Sequence, residues 1–113
     1  MLFRSVIGSK AAGNTSASSV GLTAIGYQSA YNVTGGTNTI IGSGVGSTTL
    51  TSGSGNILIG VDNSTDTPSA NSVGLVNIGN YLFYNMGNKV APTLSGCGTA
   101  PTLDSHASSK SGQ

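Results

Sequence analysis

The sequence has no tryptophan, no glutamate and a single cysteine, and only 6% of its residues carry a charge. Each shortage closes off a class of protein. Cys97 alone excludes a disulfide within the chain, and with one histidine, His106, it forms neither a zinc set nor an oriented nucleophile. Glycoside hydrolysis needs two carboxyl groups at a controlled separation, and the only acids here are Asp62, Asp66 and Asp104. Against them stand Arg4, Lys10, Lys89 and Lys110, which leaves a net charge of +1 and no basic stripe to grip phosphates. Nucleic acid is therefore not an expected partner. No apolar run approaches the roughly 18 residues of a membrane-spanning helix, and Met1-Leu2-Phe3 is too short for the apolar part of an export signal. Membrane insertion is not expected either. With 36% hydrophobic residues, two Phe and four Tyr in 113 positions, the chain is one domain at most, with a thin core. We expect no catalytic group, no cofactor and no metal, and so no enzyme.

What is abundant is Gly, at 18 residues, together with Ser, Thr and Asn. Within this polar background an Ile-Gly pair returns at Ile7-Gly8, Ile25-Gly26, Ile41-Gly42, Ile59-Gly60 and Ile78-Gly79, at spacings of 18, 16, 18 and 19 residues. Near-constant spacing is the signature of a repeat architecture. The residues ahead of each pair are rich in β-branched side chains: Leu22-Thr23-Ala24-Ile25, Asn38-Thr39-Ile40-Ile41, Asn56-Ile57-Leu58-Ile59 and Leu75-Val76-Asn77-Ile78. Such steps favour strand over helix. Strands this short are unstable alone and must stack on one another. The expected fold is all-β, a β-roll or β-helix-like shaft of stacked short-strand repeats. Layers ~4.8 Å apart would make the five steps about 24 Å tall.

Strand alternation puts Thr23/Ile25, Thr39/Ile41, Ile57/Ile59 and Val76/Ile78 on one face, and Ala24, Ile40, Leu58 and Asn77 on the other. The two middle steps are apolar on both faces. A strand of that kind needs one neighbour inside its own coil and another beyond it, and the shortage of apolar residues makes a second subunit the better candidate for the latter. Gly8, Gly26, Gly42, Gly60 and Gly79 mark where the chain turns out of the stack, by reaching positive φ or allowing close backbone approach.

The connectors carry turn chemistry, as in Gly35-Gly36, Ser52-Gly53-Ser54-Gly55 and Asp62-Asn63-Ser64. Gly42-Ser43-Gly44-Val45-Gly46 has no following Lys and opens no helix, so it is a turn rather than a nucleotide loop. Asp62 and Asp66, with Asn63 and Thr65, have too few acids for a calcium loop and read as a solvated turn. The longer run Thr65 to Ala70, with Pro68, reads as a surface excursion. Asn80 to Gly87 is the most aromatic stretch. Tyr81, Phe83 and Tyr84 there form either a contact surface for sugar or protein or, the reading we favour, a hydrophobic plug on the stack.

Residues 1–5 match the translated end of a common short-read sequencing adapter, and we read them as an assembly artefact in place of a genuine start; Val6 is then mid-protein. Residues 6–90 form the repeat module. Residues 91–113, with two Pro-Thr-Leu steps, form an extended linker or the truncated start of a following β-domain, with a tail that buries nothing.

The run from Gly21 to Gly42 resembles the repeats of tailed-bacteriophage tail fibre and tailspike proteins, which follow the pattern Asn-Thr-(Ala/Val/Ile)-Ile-Gly-x-x-Ala with Thr-Gly in the connector. More distantly it resembles the head repeats of trimeric autotransporter adhesins. Asn56 to Gly60 and Val76 to Asn80 are similar to the repeat end of many phage fibres, and Ser95 to Pro101 to the opening of a small β-domain that often follows. The resemblance spans residues 6 to 104. It implies a homotrimeric β-rich shaft in the virion, close to a tip that meets polysaccharide or protein on the host surface, and a second cysteine further on for Cys97. A bacterial trimeric surface adhesin, or the non-catalytic part of a tailspike depolymerase, are the alternatives.

Overall fold

Short β-branched steps separated by glycine-rich corners leave the chain one economical way to satisfy its backbone, which is to lay each step beside the one before it. The computed structural model describes residues 3–16, 18–85 and 93–94, and does this throughout. Strands β1 (Arg4–Ile7), β2 (Leu22–Ile25), β3 (Thr39–Ile41), β4 (Ile57–Ile59) and β5 (Leu75–Ile78) pair in sequence order, all parallel. Two further strands, β6 (Leu82–Asn85) and β7 (Thr93–Leu94), complete the sheet in antiparallel pairing. The protein is all-β, a solenoid of about four turns, and no helix occurs among the described residues.

Register aligns the repeats residue for residue. Ile7, Ile25, Ile41, Ile59 and Ile78 occupy one column, and Val6, Ala24, Ile40, Leu58 and Asn77 the neighbouring one. Ala24, Ile40 and Leu58 are fully buried, so the second column faces into the coil. The opposite wall of the coil supplies Val33, Val45 and Leu50, also fully buried, and Leu22 and Leu75 close the core on the strand side. Burying each of these large side chains contributes on the order of 1.5–3 kcal/mol against leaving it in water. The core is thin because each turn contributes only one to three such residues.

The glycine after each isoleucine has three different reasons to be glycine. Gly8, Gly26 and Gly42 share a φ of +126 to +127, and a Cβ on Gly8 or Gly26 would stand 2.7 or 2.6 Å from the carbonyl oxygen of the next glycine in the column. At Gly60 the obstacle is instead the Thr65 side chain. Gly79, at φ +59, turns the chain into β6.

Polar residues hold the corners together. Asn38 and Asn56, each just ahead of its strand, are fully buried in successive turns. Asn56 Nδ2 donates to Asn38 Oδ1 (2.9 Å) and to the Ser72 carbonyl (2.8 Å), while the Leu75 N–H donates to Asn56 Oδ1 (2.9 Å). Asn38 Nδ2 donates to the carbonyls of Gly35 and Gly53. The rungs are thus stitched by a side-chain ladder beside the backbone one. Among the described residues no buried side-chain N or O lacks a partner.

The two ends differ. Beyond β5 the chain doubles back as β6, where Phe83 pairs with Asn77 and packs against the core. At the other end β1 pairs only with β2. β1 includes Arg4 and Ser5, in register with Leu22 and Thr23. Most of the linker assigned to residues 91–113, including Cys97 and His106, lies outside the described residues, as does the end of the aromatic stretch at Met86 and Gly87.

Candidate interaction face on the outside of the sheet

Because the inward column is fixed by burial, the alternating column must point away from the coil. It consists of Ile7, Ile25, Ile41, Ile59 and Ile78, flanked by Ser5, Thr23, Thr39, Ile57 and Val76. Ile7 is 64% exposed, and Ile25, Ile41 and Ile59 are half-buried. The antiparallel register continues this face, since Leu82 lies opposite Ile78 and Tyr84 opposite Val76. No residue in these columns is charged.

The exposed large hydrophobic residues are Phe3, Val6, Ile7, Val20, Tyr27, Ile57, Val61, Val73, Ile78 and Tyr81. Every one lies in a strand or within two residues of one. Away from the sheet, the exposed positions of the corners are Ser, Thr, Asn, Asp, Lys, Gly, Ala and Pro. The outer columns are uncharged and carry isoleucine on every parallel rung, with Ser5, Thr23 and Thr39 beside it on the first three rungs and Ile57 and Val76 on the next two. A continuous apolar face on one side of a folded chain marks a contact surface.

The repeat residues expected to matter are therefore brought together, in two sets with different duties. Isoleucines 7, 25, 41, 59 and 78 with Ile57 and Val76 form the outer face, while Gly8, Gly26, Gly42, Gly60 and Gly79 set the corner beside it. The three aromatics are not one surface. Phe83 lies against the core, Tyr84 continues the outer face, and Tyr81 is 64% exposed at the turn between β5 and β6.

The acidic corner departs from expectation. The run Thr65 to Ala70 is a surface excursion only from Pro68 onward, because Thr65, Asp66 and Thr67 are buried. Asp66 is 9% exposed and is no solvated turn residue. Its Oδ2 accepts from the N–H and hydroxyl of Thr48 (2.9 and 2.8 Å) and the N–H of Thr49 (2.8 Å). Its Oδ1 accepts from the N–H of Leu50 (3.0 Å) and Thr67 (2.7 Å). Burial by itself would raise the pKa of this carboxyl, but the N–H groups of Thr49, Thr67 and Thr48 and the Thr48 hydroxyl outweigh it and hold it below its ordinary value. The carboxylate closes the corner of the turn above it. Asp62 has separate partners, the hydroxyl and N–H of Ser64, which lower its pKa at the surface. The two acids do not converge on a common site.

Sequence reasoning missed two features. The recurrence of Asn immediately ahead of two successive steps was the available signal for the Asn38–Asn56 ladder. Nothing local announces the Asp66 nest, whose donors, Thr67 apart, lie 16 to 18 residues earlier in the chain.

Fold and face together define a β-solenoid with an uncharged isoleucine column along the outside of its sheet. No protein-family model matches the sequence, no curated protein matches it, and no solved structure matches the chain.

Proposed function

We propose that this chain is a structural and adhesive segment of a tailed-phage tail fibre, three copies of which meet through their outer sheet faces to form a stiff shaft that supports host attachment. One observation carries the reading: the outer isoleucine column is continuous over five rungs and free of charge. Three such faces turned toward a common axis bury one another and close the symmetry without leaving a fourth site open. The resemblance of residues 21 to 42 to fibre repeats supplies the setting, a virion appendage whose tip meets polysaccharide or protein on the host cell. In that setting the segment is a scaffold and not an enzyme, and it needs no cofactor.

Sedimentation equilibrium of the full chain tests the shaft. Wild type is expected to be a trimer, and Ile41→Asp combined with Ile59→Asp to be a monomer. Both side chains point away from the coil, so the double variant should keep its β-type circular dichroism. A wild-type chain that stays monomeric up to its solubility limit overturns the proposal.

A further inference from the structure

The last parallel rung breaks the pattern of the inward column. Ala24, Ile40 and Leu58 fill that column with apolar side chains, and the residue paired with Leu58 on the next rung is Asn77, which is just as buried. A buried amide has to find its partners inside the protein. Asn77 Nδ2 donates to the Asp66 carbonyl and to Asn80 Oδ1, and Asn77 Oδ1 accepts from the Asn80 N–H, each at 2.9 Å. Asn80 in turn donates from Nδ2 to the carbonyl and hydroxyl oxygens of Ser64, both at 3.2 Å, on the preceding corner.

These bonds stand where the chain leaves the coil. Through Gly79 the last rung is still in step with the others, since the N–H groups of Gly26, Gly42, Gly60 and Gly79 donate to the carbonyls of Ile7, Ile25, Ile41 and Ile59. There the paths part. After Gly26 and Gly42 the coil continues, because the N–H groups of Gln28 and Gly44 donate to the Ser9 and Tyr27 carbonyls one turn earlier. After Gly79 the next N–H, that of Asn80, is taken instead by the Asn77 side chain. Gly79 and Asn80 both have positive φ, +59 and +61, and the Tyr81 N–H donates back to the Ile78 carbonyl (3.0 Å), the pattern of a tight hairpin reversal. The side chains of Ala24, Ile40 and Leu58 offer no such acceptor.

We infer that Asn77 and Asn80 form a latch that ends the coil and straps β6 across the edge of β5, so that this edge cannot pair with a second copy of the chain. An uncovered strand edge is a template for pairing with another chain, and β5, with Leu75, Val76 and Ile78, would be an apolar one. The strap is in register with all four residues of β5, and Phe83, opposite Asn77, packs against the core. The latch therefore does two things with one pair of side chains: it denies the chain the next corner of the coil, and it fixes the start of the strand that covers the edge. Neither depends on association through the outer face.

Amide hydrogen exchange and sedimentation velocity of the full chain test the latch in two variants. Asn80→Gly keeps a residue at ease with positive φ and leaves the core untouched, but removes the side-chain bonds to Asn77 and Ser64. Asn77→Leu returns an apolar residue to the column and removes the acceptor for the Asn80 N–H. In both, the protected amides of β6 are expected to exchange at least about tenfold faster, as for the loss of one hydrogen bond, while those of β2 and β3 keep their wild-type rates. Both variants are expected to form larger species than wild type at the same concentration. Unchanged β6 exchange in Asn80→Gly overturns the inference, and faster β6 exchange with unaltered sedimentation overturns the guarding of the edge. Loss of protection in β2 and β3 of Asn80→Gly overturns it as well, because the bonds would then fasten the whole coil and not the strap.

Discussion

Replacing Asp66 by Asn changes the shape of the side chain hardly at all, but turns one of two accepting oxygens into a donor. The carboxylate accepts six hydrogen bonds, four of them from backbone N–H groups on the turn above and on its own turn. The amide oxygen of Asn would face Leu50 and Thr67, which are buried, and its NH₂ would then confront the Thr48 and Thr49 N–H groups. Thr48 is exposed and water can reach it, so each lost bond costs toward the lower end of the ~1–3 kcal/mol for an unmade hydrogen bond, and the pair about 2–4 kcal/mol. Urea unfolding at neutral pH measures this directly. The pH dependence adds a second check. A carboxyl whose folded pKa is depressed contributes its full stabilisation above its unfolded value near 3.9, and loses it as pH falls through the lower folded value. The gap between wild type and Asp66→Asn should be constant from about pH 8 to pH 5 and shrink below about pH 4. A variant within about 0.5 kcal/mol of wild type at pH 7, or a gap indifferent to acid, would show that the nest does not hold the corner.

Gly26→Ala should destabilise by at least about 2 kcal/mol, because φ +127 is strained for any side chain and the new Cβ meets the Gly42 carbonyl; thermal melting measures it. Asn56→Ala leaves the buried Leu75 N–H and the Ser72 carbonyl without their side-chain partner, at an expected cost of about 2–4 kcal/mol by denaturant titration. Thr37 sits at φ +53 where the preceding and following turns have Gly21 and Gly55, so Thr37→Gly should stabilise by roughly 0.5 kcal/mol, visible as a raised melting temperature. An equal or lower melting temperature would mean that Thr37 gains more from its contacts than its backbone strain costs.

Much of the fold was legible before any coordinate, because a parallel stack copies one local decision at every rung. Five Ile-Gly pairs at near-even spacing are enough to place five strands and their register, since any slip would put Gly26 or Gly42 under a side chain it cannot accommodate. The two-face alternation was legible too. Which face looks inward was not: Ile40 and Ile41, or Leu58 and Ile59, are equally apolar, and a period of two cannot rank them. That choice depends on where the corners swing Val33, Val45 and Leu50, which is a property of the closed coil.

The acidic corner failed for the opposite reason. Asp66 beside Thr65, Thr67 and Pro68 has the composition of a surface loop, and only stacking of the Thr48 to Leu50 corner one turn away supplies the N–H groups that let its charge be buried. The aromatic stretch likewise split only once β6 reversed direction, with Phe83 turned to the core and Tyr84 to the outside. Sequence by itself determined the rung, its period and its glycine corner, because these follow from backbone sterics within a few residues. Tertiary structure alone decided inside from outside and the fate of the buried acid, because both depend on groups that meet only after the chain has gone once around.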